Sequence, residues 1–273
     1  MVSKTLKINK NGELLYITFP KIAELGITNH AFSTRLGGVS EGFLSSMNMS
    51  FSRGEKAENV RKNYEILCNA IGIKTENLVF TKQTHTDNVI VVTEKDRGTG
   101  FSKPSFEDID GLVTNCKNVA LVTQFADCTP LLFCDPEKKV IGSCHSGWRG
   151  TVKKIGLKTV ELMKNTFGCN PENIVAAIGP NIGSCCYEVD DPLFEAFSNA
   201  KFDTEKIFTK KENGKYMLDL RLANKQVLLE AGISEKNIDI TDICTCCNST
   251  EMFSHRAHGV NRGNMCAIIE LKY

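Results

Sequence analysis

Short apolar runs that each end in a polar turn are the feature that most constrains how this chain can fold. Three of them follow one another and predict strands over Val119–Phe125, Leu131–Cys134 and Val140–His145. Short runs rich in β-branched and aromatic residues and bounded by turns are typical of buried strands. Cys128 follows the first run and His145 closes the third. We therefore expect a thiol and an imidazole at neighbouring strand ends.

Apolar residues recur at helical spacing in other segments of the chain. The spacing predicts helices over residues 55–71, 152–167, 192–197 and 220–231. Strand-like runs that alternate with such helices indicate an α/β fold. We therefore predict that residues 1–273 form a single layered α/β domain with mixed β-sheets flanked by helices.

The balanced charge of the chain argues against two classes of partner. Its 33 Lys and Arg residues oppose 32 Asp and Glu residues, which gives a formal net charge of +1. Such a chain has no overall attraction to nucleic acid or to an anionic membrane. The apolar runs are shorter than a transmembrane helix, and Met1–Lys7 lacks the apolar segment of a signal peptide. We expect a cytoplasmic protein with neither nucleic acid nor membrane as a partner, and the sequence indicates no particular protein partner.

The twelve cysteines are interpreted mainly as packing residues, because a reduced thiol behaves as a small hydrophobe. Five lie inside apolar runs: Cys68, Cys116, Cys134, Cys144 and Cys266. A second group could form a structural metal site with two downstream histidines: Cys244, Cys246 and Cys247 with His255 and His258. Because its spacing fits no zinc-finger frame, packing is the favoured interpretation for this group and for Cys185 and Cys186.

Three reactive side chains are predicted on separate loops at strand ends. His85 lies in a polar turn between two predicted strands, and it joins Cys128 and His145. Two imidazoles and a thiolate are suitable zinc ligands, and three protein ligands leave a fourth position open. The same set also suits copper, which we consider less favoured than zinc. Alternatively, His85 is a surface residue and Cys128 a buried thiol.

A second chemical interpretation treats the thiol as a nucleophile. Cys128 would be activated by His145 in a thiol hydrolase or transferase, with Asp127 or His85 orienting the base. Tightly bound zinc would sequester the thiolate, so metal content separates the two hypotheses.

Six motifs occur in a fixed order along the chain. They are His30–Arg35 with Gly37–Ser40, Gln83–His85, Asp110–Thr114, Ala126–Pro130, His145–Gly150 and Ile178–Gly183. In this order they closely resemble the YfiH/YlmD family, also called the polyphenol oxidoreductase or laccase-domain family. The resemblance runs from about residue 28 to the C-terminus. Ser146 departs from it, because the family commonly has alanine there.

The resemblance implies a YfiH-like fold and a Zn²⁺ ion held by His85, Cys128 and His145. It also implies purine nucleoside phosphorylase activity on adenosine, inosine and S-methyl-5′-thioadenosine with phosphate. The resemblance further implies adenosine deaminase activity beside the phosphorylase activity. The implied partners are therefore small molecules, namely purine nucleosides and phosphate.

Further side chains are candidates for the chemistry. Asp127, beside Cys128, could transfer protons in deamination, although aspartate is also a common turn residue. Phosphate could be bound by Arg35 and Arg149, and less favourably by Arg262, because guanidinium groups match phosphate oxygens. For each arginine the alternative is a structural ion pair.

Two further functions stay open as alternatives. A copper-dependent polyphenol oxidase, or laccase, is disfavoured because five histidines are too few for mononuclear and trinuclear copper centres together. A non-enzymatic purine-binding protein would bind the same ligands without turnover.

Overall fold

The computed structural model describes residues 1–272, and its larger sheet has seven strands. Their spatial order is β1 (Lys7–Asn11), β2 (Leu14–Thr18), β3 (Thr28–Ser33), β16 (Met265–Leu271), β8 (Ala120–Phe125), β4 (Leu78–Lys82) and β6 (Phe106–Glu107). Neighbours from β1 to β8 pair antiparallel, whereas β4 runs parallel to both β8 and β6. The sheet is therefore mixed, as predicted.

A second mixed sheet has six strands. Their order is β15 (Ile238–Ile240), β11 (Val175–Ile178), β9 (Thr129–Asp135), β10 (Val140–Ser146), β7 (Gly111–Thr114) and β5 (Val89–Val91). The two outer pairs are parallel and the inner pairs are antiparallel. A small antiparallel sheet contains β12 (Glu188–Val189), β14 (Tyr216–Leu218) and β13 (Phe208–Lys210).

Eight α-helices connect and cover these strands among the described residues. They are α1 (Pro20–Glu24), α2 (Ala57–Ile71), α3 (Trp148–Val152), α4 (Ile155–Phe167), α5 (Asp191–Asn199), α6 (Thr204–Ile207), α7 (Leu220–Glu230) and α8 (His255–His258). The apolar stripe over residues 152–167 predicted one continuous helix, which is wrong. Lys154 adopts a left-handed conformation with φ 58° and separates α3 from α4.

The main core lies between the two large sheets, and it is formed by alternate residues of their strands. In β16, Ala267 and Ile269 face this core, while Cys266 and Ile268 face the opposite side. Successive side chains of a strand point to opposite faces of a sheet. Because β16 is buried along its whole length, it needs an apolar layer on each side.

Helices supply the two outer layers. Helix α2 packs Tyr64 and Leu67 onto the outer face of the seven-stranded sheet. Val160 and Met163 of α4 and Leu228 of α7 cover the outer face of the six-stranded sheet. The predicted α/β fold with mixed sheets flanked by helices is confirmed, in four layers. The shared core agrees with a single domain over residues 1–273, which stays a prediction.

Two sequence-based expectations about exposure can be compared with the structure. Cys68, Cys134, Cys144 and Cys266 are buried as predicted, whereas Cys116 is half-buried. Within residues 1–272, no helix is both long and apolar enough to cross a membrane.

Candidate metal centre

Three predicted ligands converge at one edge of the six-stranded sheet. The ligand atoms of His85, Cys128 and His145 all lie within 4.8 Å of one another. Sγ of Cys128 is 3.8 Å from Nε2 of His85, and the two imidazole rings meet edge to face with centroids 4.8 Å apart. The sequence thus identified three side chains that the structure brings together.

The pairing of β9 with β10 explains why the thiol meets the imidazole. His145 lies opposite Pro130, and Ser146 lies opposite Thr129. One step further along this antiparallel register, Cys128 reaches the level of Gly147. Asp127 has φ 83°, which turns the chain sharply between β8 and β9.

Gly147 leaves the space that the ligands occupy. A Cβ atom at this position would lie 2.9 Å from Cδ2 of His85 and 3.0 Å from Sγ of Cys128. Its φ of −69° is ordinary for any residue, so the requirement for glycine comes from the side chains opposite it. A methyl group there would displace two ligands.

Asp110 holds the loop that carries His85. Its carboxylate accepts hydrogen bonds from the backbone N–H groups of Thr84, His85 and Thr86 at 3.1, 3.2 and 2.9 Å. It also accepts one from the Thr86 hydroxyl at 2.9 Å. His85 itself has φ 66°, a conformation that needs such support in a residue other than glycine. The buried carboxylate therefore fixes the position of the first ligand.

The same carboxylate orients the second imidazole. Oδ1 of Asp110 accepts a hydrogen bond from Nδ1 of His145 at 2.7 Å, which leaves Nε2 to face Cys128. A carboxylate behind a ligating histidine selects the tautomer and raises the basicity of the ring. Asp110 belongs to a motif noted in the sequence, but its role was missed because no local pattern distinguishes it.

Cys128, His145 and Asp110 shift one another's pKa values. Although burial opposes ionisation, His145 and His85 lower the pKa of the Cys128 thiol to about 6. Burial likewise opposes the charged imidazole, but Cys128 and Asp110 raise the pKa of His145 to about 9. His145 and the donors from Thr86 outweigh burial and hold the pKa of Asp110 at about 2. The centre is thus built for a thiolate and for a positive charge beside it.

The residues present fit a tetrahedral metal ion with one open position. A thiolate and two imidazoles converge on one point, an aspartate supports one imidazole, and a glycine provides clearance. Three protein ligands are the usual number for a catalytic zinc ion. Copper would accept the same ligands.

A cleft of about 670 Å³ opens over the centre, a volume in the usual range for small-molecule sites. Asp127 lines it and is held from behind: Oδ1 accepts from the Thr245 hydroxyl at 2.6 Å, and Oδ2 accepts from the backbone N–H of Arg256 at 2.7 Å. Trp148 and Tyr187 add aromatic walls. The cleft therefore combines polar groups at its floor with flat apolar surfaces.

Guanidinium groups also line the cleft, among them Arg53, Arg149 and Arg262. Burial is the main cause that lowers the pKa of Arg262 to about 10, and the nearby charge of Arg53 adds to it. Nε of Arg53 is buried without a hydrogen-bond partner among residues 1–272. Two partly buried cations that repel each other favour an anion between them. Arg53 was missed because it lies in a loop with no distinguishing pattern.

Arg149 and Arg35 differ in their placement. The exposed Arg149 lies at the cleft, with its guanidinium 4.3 Å from the ring centroid of Trp148. Arg35 does not line the cleft. It donates to the carbonyl oxygen of Ser45 at 3.0 and 2.8 Å and to that of Ser249 at 3.0 Å. The donors of Arg35 thus join two loops outside the cleft, which does not support a phosphate-binding role, and that role stays a prediction.

The other cysteine group differs from its sequence-based interpretation. Sulfur atoms from two distant segments lie within 4.8 Å of one another: Cys185, Cys186, Cys244 and Cys247. Two of them, Cys185 and Cys247, are exposed, so packing does not account for them. His255 and His258 are not in this group, because their rings bond to Gly259 and Ser254.

Comparison with known proteins places this geometry in a family. The family model described as "Multi-copper polyphenol oxidoreductase laccase" matches residues 29–272. "Purine nucleoside phosphorylase YlmD" of Bacillus subtilis (strain 168) is 35% identical over 88% of this chain and 87% of its own length. "Adenosine deaminase RL5" from an unknown prokaryotic organism is 34% identical over 92% of this chain and 96% of its own. The crystal structure of Bacillus licheniformis hypothetical protein YfiH superposes with a TM-score of 0.92 at 33% identity, covering 98% of this chain and all of that one.

Proposed function

The chain belongs to the YfiH/YlmD family, whose model is described as multi-copper polyphenol oxidoreductase laccase, and from this premise we propose that it is a purine nucleoside phosphorylase that also deaminates adenosine. Its relatives bear the names of both activities. The proposed substrates are adenosine, inosine and S-methyl-5′-thioadenosine, with phosphate as the second substrate of phosphorolysis.

One observation carries the proposal: an open three-ligand centre and a pair of partly buried guanidinium groups line the same cleft. Phosphorolysis needs an anion site next to the ribose, and deamination needs an activated water next to the purine. A cleft of this volume accommodates a nucleoside. Neither feature alone would indicate both activities.

His85, Cys128 and His145 are proposed to hold Zn²⁺, with Asp110 keeping two of them in place. When bound, Zn²⁺ supplies Lewis-acid activation at the open position. The soft thiolate and the borderline imidazoles suit zinc, and they suit copper as a second choice.

Arg262 and Arg53 are proposed to bind the phosphate, and Arg149 is placed to contact it or the nucleoside at the mouth of the cleft. In phosphorolysis a phosphate oxygen forms a bond to C1′ of the ribose, and the bond from C1′ to the purine nitrogen breaks. The guanidinium groups orient the phosphate and neutralise its charge. The leaving purine takes up a proton.

Asp127 is proposed to help transfer protons. This residue lines the cleft, and Thr245 and the Arg256 backbone hold its carboxylate in place. Deamination adds water at C6 of adenosine and releases ammonia, so a proton must move from the water to the leaving group. A fixed carboxylate within the cleft can carry that proton.

A thiol hydrolase or transferase remains a second candidate because of one observation. Cys128, His145 and Asp110 form a chain of nucleophile, base and orienting carboxylate. A full laccase is disfavoured, because of the five histidines in residues 1–272 only His85 and His145 belong to the centre. A non-enzymatic purine-binding protein would show binding without products.

The decisive experiment measures bound metal and assays adenosine with and without phosphate. We expect zinc at the centre, adenine and ribose 1-phosphate that appear only with phosphate, and inosine from the deaminase activity. The absence of zinc and of every product would overturn the proposal. Turnover of thioesters or other acyl substrates by a metal-free protein would favour the thiol enzyme instead.

Cys128→Ala is the matched test of the ligand assignment. It should remove zinc from the centre and abolish both activities, whereas Cys116→Ala, at another half-buried thiol, should change neither.

The free thiols of all twelve cysteines also support the cytoplasmic location that we propose, because disulfides are rare in reducing compartments.

A further inference from the structure

Four thiols gather behind one wall of the cleft, outside the candidate metal centre. Sγ of Cys247 lies 3.4 Å from Sγ of Cys185 and 3.4 Å from Sγ of Cys186. With Cys244, the four sulfur atoms lie within 4.8 Å of one another. We propose that this cluster is a second metal site, which binds one Zn²⁺ ion through four cysteine thiolates and has a structural role.

The separations match a metal site better than a disulfide. A tetrahedron with metal–sulfur bonds of about 2.3 Å has sulfur–sulfur edges of about 3.8 Å. A disulfide needs sulfur atoms about 2.05 Å apart and joins a single pair. Here Cys247 is equally distant from Cys185 and Cys186, as ligands around a central ion would be.

The backbone around Cys244 is also arranged as in a metal–thiolate turn. The group as a whole matches no zinc-finger frame, but Cys244 and Cys247 alone have the C-x-x-C spacing that is common to structural zinc sites. Sγ of Cys244 accepts hydrogen bonds from the backbone N–H of Gly183 at 3.2 Å and of Cys247 at 3.5 Å. Such donors stabilise the negative charge of a ligating sulfur.

The proposed ion would join two loops that are far apart in sequence. One loop carries Cys185 and Cys186 between β11 and β12, and the other carries Cys244 and Cys247 between β15 and α8. A backbone bridge between Asn181 and Cys244 already aligns the two loops. The ion would add a cross-link where the sulfur atoms reach the surface.

The first of these loops lines the cleft with Ile182 and Tyr187, and the second holds a group that lines it. Thr245 donates to Asp127 at 2.6 Å, and the Arg256 guanidinium donates to the carbonyl oxygens of Cys186 at 2.8 Å and Glu188 at 3.1 Å. A closed site with four protein ligands has no position for substrate. Its role is to fix this wall, while the open centre carries the chemistry. Binding converts four thiols to thiolates and releases their protons to solvent.

The test counts metal ions in the full chain, purified reduced and without chelator. We expect two zinc ions per chain in the natural protein, one in Cys128→Ala and one in the double variant Cys244→Ser/Cys247→Ser. Cys246→Ser is the matched control, because this half-buried thiol lies between the proposed ligands but outside the cluster, and it should keep two. A natural protein with one zinc ion, all of which Cys128→Ala removes, would overturn the proposal.

A second measurement uses Co²⁺ in place of Zn²⁺, because the absorption spectrum of bound Co²⁺ reports the ligands directly. It requires neither enzyme activity nor an intact open centre. In Cys128→Ala, bound Co²⁺ should give the visible bands and intense sulfur-to-metal absorption of a tetrahedral four-thiolate site. This measurement stays informative if the double serine variant does not fold. Absence of cobalt uptake by reduced Cys128→Ala, or a four-thiolate spectrum lost in Cys246→Ser, would refute the assigned ligands. Either result leaves the proposed enzyme activity untouched.

Discussion

Asp110 and His145 are joined by a 2.7 Å hydrogen bond between a buried carboxylate oxygen and Nδ1 of the imidazole. They are neighbours because β7 pairs antiparallel with β10, with Gly111 opposite Cys144. The backbone N–H of His145 also donates to the carbonyl oxygen of Asp110 at 2.7 Å. Backbone pairing and side-chain pairing thus support the same ligand geometry.

Asp110→Asn should weaken zinc binding at the open centre by about 10- to 100-fold, the usual effect of losing a partner behind a ligand. In the natural protein the carboxylate accepts hydrogen bonds from the backbone N–H groups of the His85 loop. In the variant, the NH₂ group of the amide replaces one accepting oxygen, so this loop also loses support. Competition with a graded series of chelators measures the affinity.

Asp108→Asn is the control for this prediction. Asp108 lies two residues away, is exposed, and accepts from the Thr84 hydroxyl at 2.9 Å. Its φ of 53° is well tolerated by asparagine. Equal losses of zinc affinity in the two variants would contradict the role given to Asp110.

Gly147→Ala should remove zinc from the open centre while the fold persists. The new methyl group would lie 2.9 Å from ring atom Cδ2 of His85 and 3.0 Å from Sγ of Cys128, which is too close for either side chain to stay in place. Gly150→Ala is the comparison, since its Cβ would meet the Thr86 carbonyl oxygen at 3.2 Å and no ligand side chain. Metal analysis and thermal unfolding of both variants separate ligand displacement from general destabilisation. An unchanged zinc content in Gly147→Ala, with the open centre still filled, would refute the prediction.

Arg262→Gln and Arg53→Gln should each raise the KM for phosphate by about 10- to 100-fold, because a hydrogen bond to a charged group contributes about 1.5–3 kcal/mol. Deamination, which uses no phosphate, should respond much less. Steady-state kinetics with varied phosphate and saturating nucleoside provide the measurement.

Arg35→Gln serves as the contrasting variant. Its guanidinium holds the Ser45 and Ser249 carbonyl oxygens and stacks 4.6 Å from the Phe253 ring centroid. We therefore expect a lower unfolding temperature with an unchanged KM for phosphate. A large rise of KM in Arg35→Gln alone would reverse our assignment of the phosphate site.

His30 should make stability depend on pH. Burial is the main cause that lowers the pKa of this imidazole from 6.5 to about 4, and Nε2 accepts a hydrogen bond from the Phe19 N–H at 3.0 Å. Between these pH values the unfolded chain binds a proton that the folded chain does not. The contribution of neutral His30 to the free energy of unfolding is therefore fully present above about pH 6.5. It is lost as the pH falls towards about 4, which lowers the free energy of unfolding by up to about 3 kcal/mol.

His30→Gln should flatten this dependence, because the amide oxygen can still accept from Phe19 but does not titrate. Urea unfolding of both proteins between about pH 4.5 and 7.5, which covers most of the window between the two pKa values, gives the slope of the unfolding free energy against pH. Identical slopes below pH 6.5 would show that His30 does not cause the effect.

The sequence predicted the strand ends that carry Cys128 and His145 because the burial pattern is local. In β9 and β10 each strand is buried on both faces, and that condition produces the continuous apolar runs. The turn that holds His85 could also be recognised, because it interrupts two such runs. The helix over residues 152–167 was predicted with one error, since nothing local in sequence shows the left-handed Lys154.

Local patterns in the sequence were therefore sufficient for the α/β class, the main strands and helices, and the residue types available at strand ends. Which side chains meet depends on the three-dimensional arrangement of these elements. This arrangement placed Asp110 behind His145, gave Arg53 rather than Arg35 to the cleft, and gathered Cys185 and Cys247 into one cluster. Sequence periodicity reflects only how each residue is buried within its own strand or helix. The contacts of Asp110, Arg53 and the cysteine cluster join segments that are far apart in sequence, so they depend on strand register and loop closure.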